Sequence, residues 1–203
     1  GGAFTDASTL FAAYNALANP TAVSAALTAN QDVLNGTSAN DSFTATGATL
    51  GGTDVITDGS STDSDTLTVT LGEATNGTTP TSVSGIENVV YNVTSIAAVS
   101  IDVANVVGAA ITVNNTGVGA STNANIDNLS STSSITMGTG ITGTADVLLA
   151  EGSAATVNAG SASQLDVADA GSQGASIVAG DATNTIEVEG DGDTTTAGVA
   201  NDA

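Results

Sequence analysis

The chain has 203 residues with no Lys, Arg, His, Cys or Trp, and its 21 Asp plus Glu give a formal charge of −21. Binding nucleic acid or an anionic membrane needs cationic side chains that displace counterions from phosphates, so both partner classes are excluded. Without His and Cys there is no Ser-His-Asp or Cys-His nucleophile, no ordinary zinc or haem site and no disulfide, which leaves paired carboxylates as the remaining catalytic possibility.

From Thr5 to about Ala29, Leu10, Phe11, Tyr14 and Leu17 recur at helical spacing, with Asp6 or Ser8 as a cap. The spacing predicts a short α-helix that Pro20 interrupts, followed by a second short helical turn over Ala22 to Leu27. Four of the five aromatics (Phe4, Phe11, Tyr14, Phe43) lie in the first 43 residues. Residues 1–30 are therefore expected to form an N-terminal helical cap or docking segment.

From about Gln31 the text changes to short β-branched runs between Gly, Asn, Asp, Ser and Thr: 67–71, 86–93, 99–103, 111–113, 134–137, 146–150, 155–159, 164–168, 175–179 and 185–189. Their apolar centres recur roughly every 9 to 12 residues between Ile101 and Ile186. That spacing fits a β-sandwich or a β-solenoid of about 20 residues per coil. The content is 40% hydrophobic, with a mean hydropathy of +0.22, so the chain is no disordered acidic tail, yet only 2% is aromatic. Runs of three to five residues and an aliphatic core without rings favour a mainly β fold, a right-handed parallel β-helix over residues 31–203. The β-sandwich is the alternative. No run of about 20 apolar residues spans a bilayer, and the absence of cysteine fits an exported bacterial protein. The start at Gly1-Gly2 and the polar ending, 198–203, suggest a fragment of a longer chain.

The acids cluster. Six aspartates fall between Asp32 and Asp65. Asp54, Asp58, Asp63 and Asp65, with Gly51, Gly52 and Gly59 among them, would repel one another unless a cation sat between them, and no basic side chain exists to do this. Calcium accepts six to eight oxygens in flexible geometry, whereas magnesium holds its waters; the other reading is a solvated acidic loop that binds nothing. The spacing is not that of an EF-hand. Asp32, Asn35, Asn40 and Asp41 around Gly36 offer a second oxygen set, for which plain turn chemistry competes. Glu187, Glu189, Asp191 and Asp193 form the third, on a strand that should fray without calcium. A carboxylate-pair glycosidase lacks aromatic platforms for sugars and any cationic side chain to set two acids apart. The Asn-x-Ser/Thr sites are those expected by chance in so Ser/Thr-rich a chain.

DVLNGTSANDSF (32–43) followed by GGTDVITDGSSTDSDTLTV (51–69) resembles the D-x-L-x-G-T-x-x-N-D-x-F and G-D-x-L-x-G-G-x-G-x-D-x-L text of RTX-related calcium-binding proteins. SGIENVVYNVT (84–94) resembles the segment that comes next in surface-layer proteins of the Caulobacter type and in related secreted adhesins. The motif order matches over about residues 28–95. The resemblance implies an extracellular β-solenoid that binds Ca2+ in its turns and assembles into a lattice on the cell surface. Asp32, Asn35, Asn40, Asp41, Asp54 and Asp65 match acidic or amide positions of the motif, and Glu87 matches a Glu expected to order a turn. Asp58 and Asp63 lie where DGSSTDSD replaces a Gly-rich nonapeptide, which implies irregular individual sites and no regular calcium ladder.

The resulting expectation is a non-enzymatic, calcium-binding structural protein of the cell surface whose partners are copies of itself. An adhesin or fibre module is the alternative, with cell-surface polysaccharide or a host surface as its partner.

Overall fold

The structure, a computed structural model, describes residues 20–72, 80–94, 99–117, 123–130, 132–150, 153, 155–160, 162–169, 176–178, 186–189 and 194–196. Among these residues there are strands and turns and no helix. The first predicted helix lies outside them, while the second is corrected. Ser24–Ala26 is β1, a strand that pairs with Ser42–Thr46 (β3), so sheet structure begins upstream of residue 31. Alanine favours a helix intrinsically, but parallel pairing to the next coil outweighs that weak preference.

The chain winds as a parallel β-solenoid, as its short aliphatic runs predict. One long sheet takes a strand from every coil: β1, β3, β5 (Thr66–Leu71), β7 (Asn88–Val93), β10 (Ala110–Asn115), β12 (Ser134–Met137), β14 (Thr156–Asn158), β16 (Ser176–Val178) and β18 (Thr194–Thr196). Opposite its first half lies a sheet of β2 (Val33–Asn35), β4 (Val55–Thr57), β6 (Ser82–Ser84) and β9 (Val106–Val107). Opposite its second half lies another, of β8 (Val99–Asp102), β11 (Ala124–Leu129), β13 (Thr144–Leu149), β15 (Gln164–Asp169) and β17 (Ile186–Glu189). The coil between β7 and β10 carries both β8 and β9 and makes the change-over.

Register explains the core. Alternate side chains of a strand face opposite sides, so in-register parallel stacking lines up like positions into files. Phe43, Leu67, Val89, Ile111, Ile135 and Val157 form one buried file of the long sheet. Ile56, Val83 and Val106 face it in the first half, and Ile101, Ile126, Val147 and Val167 in the second. Each such side chain contributes about 1.5–3 kcal/mol on full burial, and few rings are needed because the core is only one coil wide. β11 bulges between Ile126 and Leu129, where Asn128 adopts φ 62°, a left-handed conformation that Asn tolerates. No helix among the described residues is long and apolar enough to cross a membrane.

Candidate metal centre

The corner that leads into the long sheet collects the acids. Because Ser42, Thr66 and Asn88 are register partners, the residues before them, Asp41, Asp65 and Glu87, stack at the same corner of three successive coils. Each carboxylate reaches back one coil. The Asp65 N–H donates to Glu87 Oε2 at 2.8 Å, the Asp41 N–H donates to Asp65 Oδ1 at 2.7 Å, and the Val23 N–H donates to Asp41 Oδ1. The Thr37 N–H satisfies Asp41 Oδ2.

Between β4 and β5 the loop is eight residues, 58–65, against three at the equivalent corner, 85–87. Its surplus residues bring Asp58 and Asp63 to the same place. Carboxylate oxygens of Asp41, Asp58 and Asp65 lie within 4.8 Å of one another, and so do those of Asp63, Asp65 and Glu87. An ion with ligands at 2.3–2.6 Å can touch oxygens up to that far apart.

Two further observations test the fit. Asp65 is fully buried and its Oδ2 has no hydrogen-bond donor; both oxygens of Asp63 are likewise buried without one. Buried carboxylate oxygens are almost always paired, and an unpaired one is costly. Gly36, at the register level of Asp58, provides the space: a Cβ there would lie 2.6 Å from Asp58 Oδ1 and 2.7 Å from Asp41 Oδ2. Two like charges at 4.8 Å repel by on the order of 3 kcal/mol in an effective dielectric of 20. Burial is the main cause that pushes the Asp65 carboxyl above its ordinary value of 3.8; the Asp41 N–H pulls it down, and the charges of Asp63, Asp58 and Asp41 push it up again. An all-oxygen, crowded and anionic set fits a hard divalent cation. Such a cation would supply the positive charge and the missing partners that no side chain of this sequence provides.

The remaining predicted residues are placed differently. Asp54 is fully buried at the other corner, but its oxygens accept N–H groups of Asp32 (2.9 Å) and Gly51 (2.7 Å). Asp32 accepts the Thr28 N–H at 2.7 Å. This second corner is closed by main-chain donors and does not join the cluster. Asn35 accepts the Thr57 hydroxyl at 3.0 Å and Asn40 the Ser64 N–H at 2.9 Å, so both amides tie one coil to the next. Glu189 ends β17, paired with Ala168, while Asp191 and Asp193 lie outside the described residues. Glu87 is the member that sequence reasoning assigned only to turn ordering. Its signal was its place directly before a strand, as for Asp41 and Asp65.

A second acidic strip lies in a groove on the outer face of the β8–β17 sheet, where Asn125, Asp146 and Asp166 are register partners beside Asp127 and Leu148. The Gln164 amide donates to both oxygens of Asp166, at 3.1 and 3.0 Å. Partial burial first, then the Asp166 charge and a hydrogen bond shared with Asp166, raise the Asp146 carboxyl above its ordinary value. This strip is open to water, and none of its oxygens is both buried and without a hydrogen-bond partner among the described residues.

No family model matches the chain, and neither a curated protein nor a solved structure matches it.

Proposed function

We propose that this chain is a structural protein, a calcium-stabilised β-solenoid that assembles with copies of itself outside the cell into a surface layer or filament. The observation that carries this reading is the buried acidic corner, where both carboxylate oxygens of Asp63 and Oδ2 of Asp65 lack donors in a chain with no cationic side chain. At a formal charge of −21, copies repel one another, and calcium held between carboxylates reduces that repulsion within and between chains. Calcium is scarce inside cells and plentiful outside, so folding and assembly would be coupled to export. The resemblance of residues 28–95 to RTX-related surface-layer proteins supports the same reading from the sequence side. The carboxylates act here as ligands and not as an acid–base pair, which would need neighbouring cationic groups to hold the two acids apart in pKa.

Dialysis of the full chain against a calcium chelator, followed by circular dichroism and sedimentation, tests the proposal. We expect strand content to fall and large particles to disperse, both returning with calcium but not with magnesium. Unchanged strand content and unchanged particle size in chelator would remove the basis of this reading.

A further inference from the structure

The two carboxylate triads are not independent, because Asp65 belongs to both. We propose that the corner holds a pair of calcium ions with Asp65 as their common ligand, one ion completed by Asp41 and Asp58 and the other by Asp63 and Glu87. This rests on the calcium reading given above and deepens it, by assigning how many ions the corner takes and which residue couples them.

Charge decides between one ion and two. The corner gathers five carboxylates, Asp41, Asp58, Asp63, Asp65 and Glu87. One divalent ion leaves three negative charges in a largely buried space; two leave one. Burying uncompensated charge costs several kcal/mol per ion, so the doubly occupied corner is the balanced one. The orphaned oxygens, of Asp63 and Asp65, call for the ion of the second triad, and the crowding of the Asp58 and Asp41 oxygens calls for that of the first. An ion confined to Asp41, Asp58 and Asp65 would leave Asp63, with both oxygens buried and undonated, outside its triad. An ion confined to Asp63, Asp65 and Glu87 would leave the Asp58 and Asp41 oxygens crowded over Gly36, where a side chain would not fit.

The arrangement also has a direction. Asp41 comes from the coil of β3, Asp58, Asp63 and Asp65 from the coil of β4 and β5, and Glu87 from the coil of β7. The first ion therefore joins one coil boundary and the second joins the next, with Asp65 between them. Loss of the common ligand should open both boundaries, whereas loss of an outer ligand should open one.

Native mass spectrometry of the calcium-loaded full chain, with circular dichroism to monitor folding, reads this out by difference. D58N and E87Q should each bind one calcium fewer than the unaltered chain. D65N should bind two fewer, and so should the double variant D58N/E87Q, which keeps Asp65 in place should D65N fail to fold. If D65N loses only one ion, or if the double variant loses no more than either single change, the shared-ligand pair is wrong while the calcium reading stands. If the unaltered chain binds no calcium, both fall. If the counts drop as expected while sedimentation ignores calcium, the ion pair stands and the assembly reading fails.

Discussion

The two halves of the solenoid share one long sheet and one kind of aliphatic core, yet they treat the same corner differently. In the first half Asp41, Asp65 and Glu87 come directly before β3, β5 and β7; in the second Ala109, Ser133 and Ala155, all buried, come directly before β10, β12 and β14. The main-chain bonding is the same in both: the Thr66 N–H donates to the Asp41 carbonyl at 3.0 Å, and the Ser134 N–H donates to the Ala109 carbonyl at 3.0 Å. A coil of this fold thus closes its corner with a small neutral residue. The carboxylates of the first half are superfluous for winding the chain and costly to bury, which is the pattern expected of ligand residues.

Calcium removal should separate the halves most strongly. A site held at a hundred times its Kd contributes about 2.7 kcal/mol to stability, so stripping the corner should lower protection of the first coils by about a hundredfold. In a solenoid each coil answers chiefly to its neighbours, so the second half should change much less. Hydrogen exchange with and without chelator measures this. Equal loss along the whole chain would show that the acidic corner is not where calcium acts.

Two glycines sharpen the same contrast with a smaller effect. G36A would press a methyl group against the Asp58 and Asp41 oxygens. Its expected result is weaker calcium binding with little change in the calcium-free protein. Gly160, in the second half, has φ 54°, and a Cβ there would lie 1.7 Å from the Met137 carbonyl oxygen. G160A should therefore cost about 1–3 kcal/mol whether or not calcium is present. Thermal melts of both variants at two calcium levels check the pattern; equal calcium dependence of the two would blur it.

Much of this architecture can be read from the residues, and the failures have physical causes. Runs such as LTVTL at 67–71 and SITM at 134–137 alternate clearly and are found as strands. Ser42–Thr46, Ser82–Ser84 and Ala124–Leu129 carry too few large apolar side chains to stand out, and are strands because the neighbouring coils are in register with them. The Ala22–Leu27 segment contains a strand, not the expected helical turn, for the same reason: pairing with β3 outweighs its local helical preference. At the site, the density of acids between Asp32 and Asp65 is visible in the text, but which of them meet is not. Asp41 and Asp65 are separated by 24 residues and Asp65 and Glu87 by 22, and only the winding turns those unequal steps into one corner. Asp32 and Asp54 have a similar spacing of 22 and reach the other corner, where main-chain donors satisfy them.

The smallest effects concern pH and the exposed strip. Asp65 and Asp146 both have carboxyls raised above their ordinary value in the folded chain. A raised value means the fold binds the proton more tightly than the unfolded chain does. The stability it contributes is complete below the ordinary value of 3.8 and is lost as pH rises through the raised one. Calcium-free protein should therefore gain stability on mild acidification. Calcium-loaded protein should lose it, because protons then compete with the ion at Asp65. The D146N variant isolates the second-half share of this behaviour. It removes one of two neighbouring like charges on adjacent strands, a change of about 0.2–1 kcal/mol in favour of the fold at neutral pH. Because Asp146 lies on the open face of β13, that gain should be the same with and without calcium and should shrink in high salt. Urea melts of D146N at low and high salt decide the matter. A gain that appears only when calcium is absent would mean that the outer strip also holds the ion, and the division between a ligand-holding first half and a solvated second half would have to be abandoned.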